Sequence, residues 1–376
     1  MTWDQVRGRR LARNHLVRPA PAERLVEVAR DVCGLQAQLL SAAELGLGLR
    51  VEGGTQAGVR AALWERPALV KTWSLRGTLH LHPADELPLW MAAGRARPGW
   101  DDAVLPGGER WPEPVGGLTD AIGAALDGCC LSRAELTEAV VALRGEQVRE
   151  PMMSGWGLLL QPAAYRGLLC FAPSRGSQVV FARPDQWLGR PWVDLDPAEA
   201  MAEVVRRYLR SYGPVRHAEL ARWPSVDPPT ARRVLASLGT EVAELDVEGQ
   251  RGWVLAGDAD SGWEPVRGSV RLLPHYDCYV IGFHPRDRLT RPEAVARIRG
   301  FRRGRWEGVV ALPVLLVDGV VAGLWERAQR SGRVDVRVEP FVRLTAGQRR
   351  ALEAEAGRVG AFYGADATLT LVDRLE

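Results

Sequence analysis

Three times along the chain, helical stretches give way to two β-rich runs joined by a short turn, and this recurrence limits the fold more than any other feature. In the first pass, Trp3 to Leu16 reads as a basic helix. Pro19 and Pro21 open a second, Ala22 to Cys33, which stops at Gly34. Ser41 is the expected N-cap of a third through Leu49, and a fourth runs from Gln56 to Trp64. Leu69–Leu75 and Thr78–His82 then form a hairpin about Arg76-Gly77, and a helix covers Ala84–Gly94.

The second pass has helices over Leu118–Leu126, from the capping-box pattern Ser132-Arg133-Ala134-Glu135 to Leu143, and over Gly155–Tyr165. Its β runs, Leu168–Ala172 and Gln178–Arg183, flank Ser174-Arg175-Gly176. The third has helices over Pro197–Tyr212, Val215–Arg222 and Pro228–Leu238, then Val242–Val247 and Trp253–Ala256 about Glu248-Gly249-Gln250. Helices closed by a two-stranded ribbon describe a winged helix-turn-helix. Beyond Trp263 the texture is β-rich. Val270–Leu273, Tyr279–Ile281, Val309–Val317, Val320–Trp325, Val334–Val338 and Ala367–Leu371 read as strands, Thr345–Tyr363 as a helix, and Asp318-Gly319 as a tight hairpin turn. The expected architecture is α+β: three tandem winged helix-turn-helix units in a curved arrangement plus a β-rich C-terminal domain. The boundaries are 1–96, 118–190, 196–258 and 265–376, with a Pro/Gly/Trp-rich linker at 97–117.

Composition excludes several classes. The chain has no apolar run of 18 or more residues, and its basic N-terminus has no apolar core of a signal peptide, so a cytoplasmic protein without a membrane span is expected. The five cysteines, Cys33, Cys129, Cys130, Cys170 and Cys278, are scattered without a CxxC, which argues against a disulfide or zinc framework. His80 and His82 share one strand, but no nearby Cys or acidic cluster completes a ligand set, so no metal and no cofactor are expected. Charge is uneven. Residues 1–30 hold seven Arg against three acids and residues 286–305 eight against two, giving +10 in a chain of net +3. Concentrated basic segments on a near-neutral chain suggest a face for a polyanion, and a winged helix most often serves duplex DNA.

One short segment carries candidate chemistry. After a helix stop at Gly34, the chain is expected to be extended, and side chains two apart then project to one side. Gln36 and Gln38 would point together, with Leu35, Ala37 and Leu39 on the packed side. Two converging amides offer uncharged donors and acceptors to a water, a sugar or a base edge.

The chain resembles the AlkZ-like (YcaQ-type) winged-helix DNA glycosylases. The resemblance rests on Gln36-Ala37-Gln38, on Trp73-Ser74-Leu75-Arg76-Gly77-Thr78-Leu79-His80, and on Leu272-Leu273-Pro274-His275-Tyr276-Asp277, and it covers essentially the whole chain. Ala37 is smaller than the family's usual aliphatic middle residue. The resemblance implies three tandem winged helices on a concave basic surface. It also implies hydrolysis of the N-glycosidic bond of bulky N7-alkylated purines, interstrand crosslinks included, with Gln36 and Gln38 as the catalytic pair and a β-hairpin that probes the duplex.

Amides suffice for such a reaction because an N7-alkylpurine is already cationic and leaves as a neutral base. The general acid of ordinary glycoside hydrolysis is dispensable. A lyase activity needs an amine, and the chain has only its N-terminus and its sole lysine, Lys71, on a wing strand, so a monofunctional enzyme is expected. The expected DNA contacts are Arg7, Arg9, Arg10 and Arg13, Arg175 at the second wing tip, and Arg299, Arg302, Arg303 and Arg305. His15 and Asp277 read as structural hydrogen-bonding groups. The expected partner is double-stranded DNA carrying alkylated purines, with no obligate protein partner. The alternatives are a non-catalytic winged-helix regulator and a protein that sequesters an antibiotic.

Overall fold

The computed structural model describes residues 1–102, 111, 115–154, 157–299, 308–330 and 332–375. Contacts gather into two compact units, each assembled from separated stretches. One comprises Met1–Arg60, Arg206–Leu220 and Leu238–Glu376, the other Ala61–Val205 and Ala221–Ser237. Among the described residues no helix is long and apolar enough to cross a membrane.

The first unit is built on a five-stranded sheet with spatial order Asp366–Leu371, Arg333–Pro340, Val320–Arg330, Val314–Val317, Val270–Leu273. Neighbours are antiparallel except the first two, which are parallel and joined by the helix Ala346–Phe362. Thr345 caps that helix in a reciprocal box with Gln348, which satisfies two otherwise orphaned backbone donors. Val317 pairs with Val320 across a two-residue turn, and Asp318 and Gly319 both have positive φ (51° and 76°), as a type I′ turn demands. Leu11, Leu273, Phe283, Val314, Leu316 and Leu324 form the core beneath this sheet. The N-terminal helix, Trp3–Arg13, buries Trp3 and Val6 against Val247, Val254 and Trp263 around the ribbon Val242–Val247/Gln250–Leu255.

One expected strand is a helix. Tyr279–Ile281 lies within Cys278–Gly282, because the Asp277 carboxylate accepts from the Tyr279 N–H at 2.9 Å and caps a helical turn. The expected strand over Val309–Val317 begins only at Val314, residues Gly308–Ala311 forming a 3₁₀ turn.

The second unit contains the hairpin Leu69–Trp73/Leu79–Pro83 and the sheet Leu131–Ser132, Gln178–Ala182, Cys170–Arg175. Ser132 and Glu135 form the capping box read from sequence and start Arg133–Arg144. Trp73, Phe171 and Phe181 meet at its core, with ring centroids 4.9–6.1 Å apart. The histidine pair is structural. His82 is buried, stacks on Trp90 at 4.3 Å and bonds Ser74 Oγ at 3.0 Å. Burial, with help from the Arg76 guanidinium, pushes the His80 imidazole down to about 3, so it is neutral at pH 7.

Candidate active site

The helix Leu25–Asp31 ends in a Schellman motif: Gly34 N–H donates to the Ala29 carbonyl at 2.9 Å and Cys33 N–H to the Arg30 carbonyl at 3.1 Å. The first left-handed residue is therefore Cys33 (φ 63°), with Gly34 (φ 82°) one position further on than the sequence suggested. The last carbonyls are also covered. The Ser211 hydroxyl donates to Asp31 O and the Tyr212 hydroxyl to Val32 O at 3.0 Å. The chain leaves this fixed end extended at Leu35-Gln36.

Burial then alternates as expected of extended chain. Leu35 and Ala37 are buried, Ala37 completely, while Gln36 is half-buried and Gln38 exposed. The alternation ends there. Leu39 is 46 % exposed, not packed, because the backbone bends and Leu39 becomes the N-cap of Leu40–Gly48, its carbonyl accepting from Ala42 N–H at 3.0 Å. Ser41, expected as that cap, sits one residue inside the helix.

The helix Leu40–Gly48 is tied down by charge. Arg50, just past its end, makes a two-pronged ion pair with Asp277, at 2.8 and 2.9 Å, and both side chains are fully buried. Arg50 also donates to Asn14 O at 3.0 Å and Gly46 O at 2.8 Å. Burial by itself would lower the Arg50 pKa; Asp277 more than offsets it and raises the group above the usual arginine range. Asp277 is thus structural, and it ties the Pro274–Asp277 loop to the end of the Leu40–Gly48 helix. Sequence offered no sign that Arg50 is its partner. His15 is likewise structural, with Nε2 2.8 Å from Asp31.

Two of the expected DNA contacts are corrected by burial. Arg10 is 0 % exposed and donates to the carbonyls of His284 at 2.7 Å and Pro214 at 2.8 Å. Arg9 is buried against Asp258 at 2.5 Å, with its guanidinium 4.7 Å from the Trp263 ring centre. Burial lowers both to about 10, so they stay charged at neutral pH, but as internal braces. Arg13 is exposed and pairs with Asp258 at 2.9 Å; Arg175 is exposed and pairs with Glu135 at 3.0 Å. Arg299 closes the helix Pro292–Arg299, and Arg302, Arg303 and Arg305 lie outside the described residues. Arg7 is half-buried, bonded to Asp4, and lines a cleft of about 400 Å³ with Arg267, Arg291 and Arg343. Arg291 and Arg343 are exposed and have no ion pair among the described residues. Their separation in sequence hid this basic cluster. No group of three or more His, Cys, Asp or Glu among the described residues is placed to hold a metal ion.

A family model for AlkZ-like DNA glycosylases matches residues 29–362. That defines the class: a DNA glycosylase, a hydrolase of N-glycosyl bonds. The chain belongs to the AlkZ-like DNA glycosylase family. It is 33 % identical over 379 residues to an interstrand DNA cross-link repair glycosylase of Streptomyces sahachiroi, covering 96 % of this chain and 97 % of that one. It is also similar to the solved structure of Streptomyces sahachiroi DNA glycosylase AlkZ, with a TM-score of 0.83 and 31 % identity, covering 99 % of this chain and 100 % of that one. Membership sets aside a non-catalytic regulator.

Proposed function

We propose that this enzyme hydrolyses the N-glycosidic bond of N7-alkylated purines in double-stranded DNA, bulky adducts and interstrand crosslinks included, and that Gln36 and Gln38 position the attacking water. The observation that carries this reading is the Gln36-Ala37-Gln38 segment itself. It leaves a doubly capped helix end, is anchored by two buried apolar side chains, and keeps its amides at or near the surface. The Streptomyces sahachiroi relative, an interstrand DNA cross-link repair glycosylase, supports the crosslink end of the substrate range.

Amide carbonyl oxygens can accept hydrogen bonds from a water behind C1′ and lie against the positive charge that develops on the sugar. An amide is too weak a base at pH 7 to remove the proton outright, so the pair positions and stabilises. The cationic purine departs neutral and needs no acid. Monofunctional chemistry rests on the scarcity of amines, both of which have local partners. The Met1 ammonium donates to Asp246 O at 3.2 Å, and Lys71 Nζ packs 4.6 Å from the Phe171 ring centre. We place three winged units at 1–96, 118–190 and 196–258, with the linker 97–117 and the domain 265–376, as the body that holds the duplex. Arg7, Arg13, Arg175, Arg291 and Arg343, with Arg299, Arg302, Arg303 and Arg305, supply phosphate contacts.

Purified protein incubated with a duplex containing N7-methylguanine is expected to release the free base and leave an abasic site in an unbroken strand, with EDTA present. Direct strand cleavage, or no release, rejects the reading. Replacing Arg291 and Arg343 together by alanine is expected to weaken binding to damaged and undamaged duplex alike. The slope of log affinity against log salt should fall by about 2, roughly 0.9 per lost phosphate contact. A defect confined to damaged duplex contradicts a phosphate role.

A further inference from the structure

Leu39, the residue after Gln38 in sequence, lines a cleft of about 470 Å³. Leu39, Ser41 and Leu45 form one wall, and Pro274, His275 and Trp325 stand opposite. That second wall is held rigidly. Trp325 Nε1 donates to Leu273 O at 2.8 Å, and His275 Nδ1 is 2.5 Å from Ala311 O. Leu39 breaks two rules at once. It occupies an N-cap, where Ser, Thr, Asn or Asp is worth about 1 kcal/mol more than an aliphatic residue, and it makes no side-chain cap bond. The residue is also 46 % exposed, so core packing does not explain it. Neither the helix nor the core accounts for a leucine at this position, next to a candidate catalytic group.

We propose that this cleft receives the substituent on N7 of the damaged purine, and that Leu39 sets a preference for ring-bearing substituents over methyl. The inference rests on the reading of Gln36 and Gln38 given above. The volume falls in the range of small-molecule sites, about 300–1,000 Å³, whereas a methyl group needs about the space of one water, roughly 30 Å³. The cleft is open and mixed in character, with Ser41, Glu326 and Arg327 beside its apolar side chains. It therefore fits an aryl group carrying polar atoms better than a bare alkyl chain.

The test compares single-turnover release of N7-methylguanine and N7-benzylguanine from otherwise identical duplexes. For Leu39→Ser the benzyl-to-methyl ratio is expected to fall about tenfold, the scale of losing a few contacting methylenes. The melting temperature should hold or rise, because serine improves the cap. Leu39→Met should restore the ratio. If the wild type releases both bases and the ratio ignores Leu39→Ser, or both rates fall in equal proportion, the inference fails alone. If the wild type releases neither, the functional reading fails and takes the inference with it.

Discussion

Gln36→Ala or Gln38→Ala is expected to lower single-turnover base release about 10²- to 10³-fold, the cost of removing one preorganised polar group from a charge-developing transition state. Stability should barely change in Gln38→Ala and fall only slightly in Gln36→Ala. Gln38 is exposed and Gln36 half-buried, while the anchoring falls to Leu35 and Ala37. Circular dichroism should therefore match the wild type in both variants, and melting should match it in Gln38→Ala. Because both amides are assigned to one water, the double variant should be little slower than the worse single one. Additive losses would place the two glutamines in separate roles, and full activity in the double variant would remove the pair from the mechanism.

The second large effect is on folding. Asp277→Asn is expected to destabilise the first unit by about 3–5 kcal/mol, since it leaves the Arg50 charge buried and uncompensated. For a unit of this size that is a fall of roughly 10 °C in its melting temperature. The double variant Arg50→Met/Asp277→Asn should recover most of the loss, because no buried charge remains and asparagine keeps the cap on the Tyr279 N–H. A loss under about 1 kcal/mol in Asp277→Asn would show that water reaches the pair. The junction of the Leu40–Gly48 helix with the Pro274–Asp277 loop would then need another explanation.

Local chemistry was readable from residue types, and long-range pairing was not. Asp318-Gly319 and the Ser132/Glu135 box each satisfy their backbone demands within four residues, so their signals are complete in the sequence. The glutamine segment was readable for the same reason, through a helix stop followed by period-two burial. Tyr279–Ile281 was misread because a short apolar run does not distinguish strand from buried helix, and the deciding cap, Asp277, lies outside that run. Arg9 and Arg10 looked like a solvated basic face. Their partners at Asp258, Pro214 and His284 lie more than 200 residues away, and nothing local announces them. The exposure of Leu39 was hidden because alternation predicts burial right up to the bend that ends it.

The central claim is that two neutral amides suffice because the leaving base brings its own positive charge. The most direct measurement is single-turnover release from matched duplexes carrying either N7-methylguanine or hypoxanthine, a neutral purine that needs protonation to depart. The expected result is release of N7-methylguanine with no detectable hypoxanthine, and loss of that release in Gln36→Ala/Gln38→Ala. Comparable release of hypoxanthine would mean that a general acid operates elsewhere in the molecule.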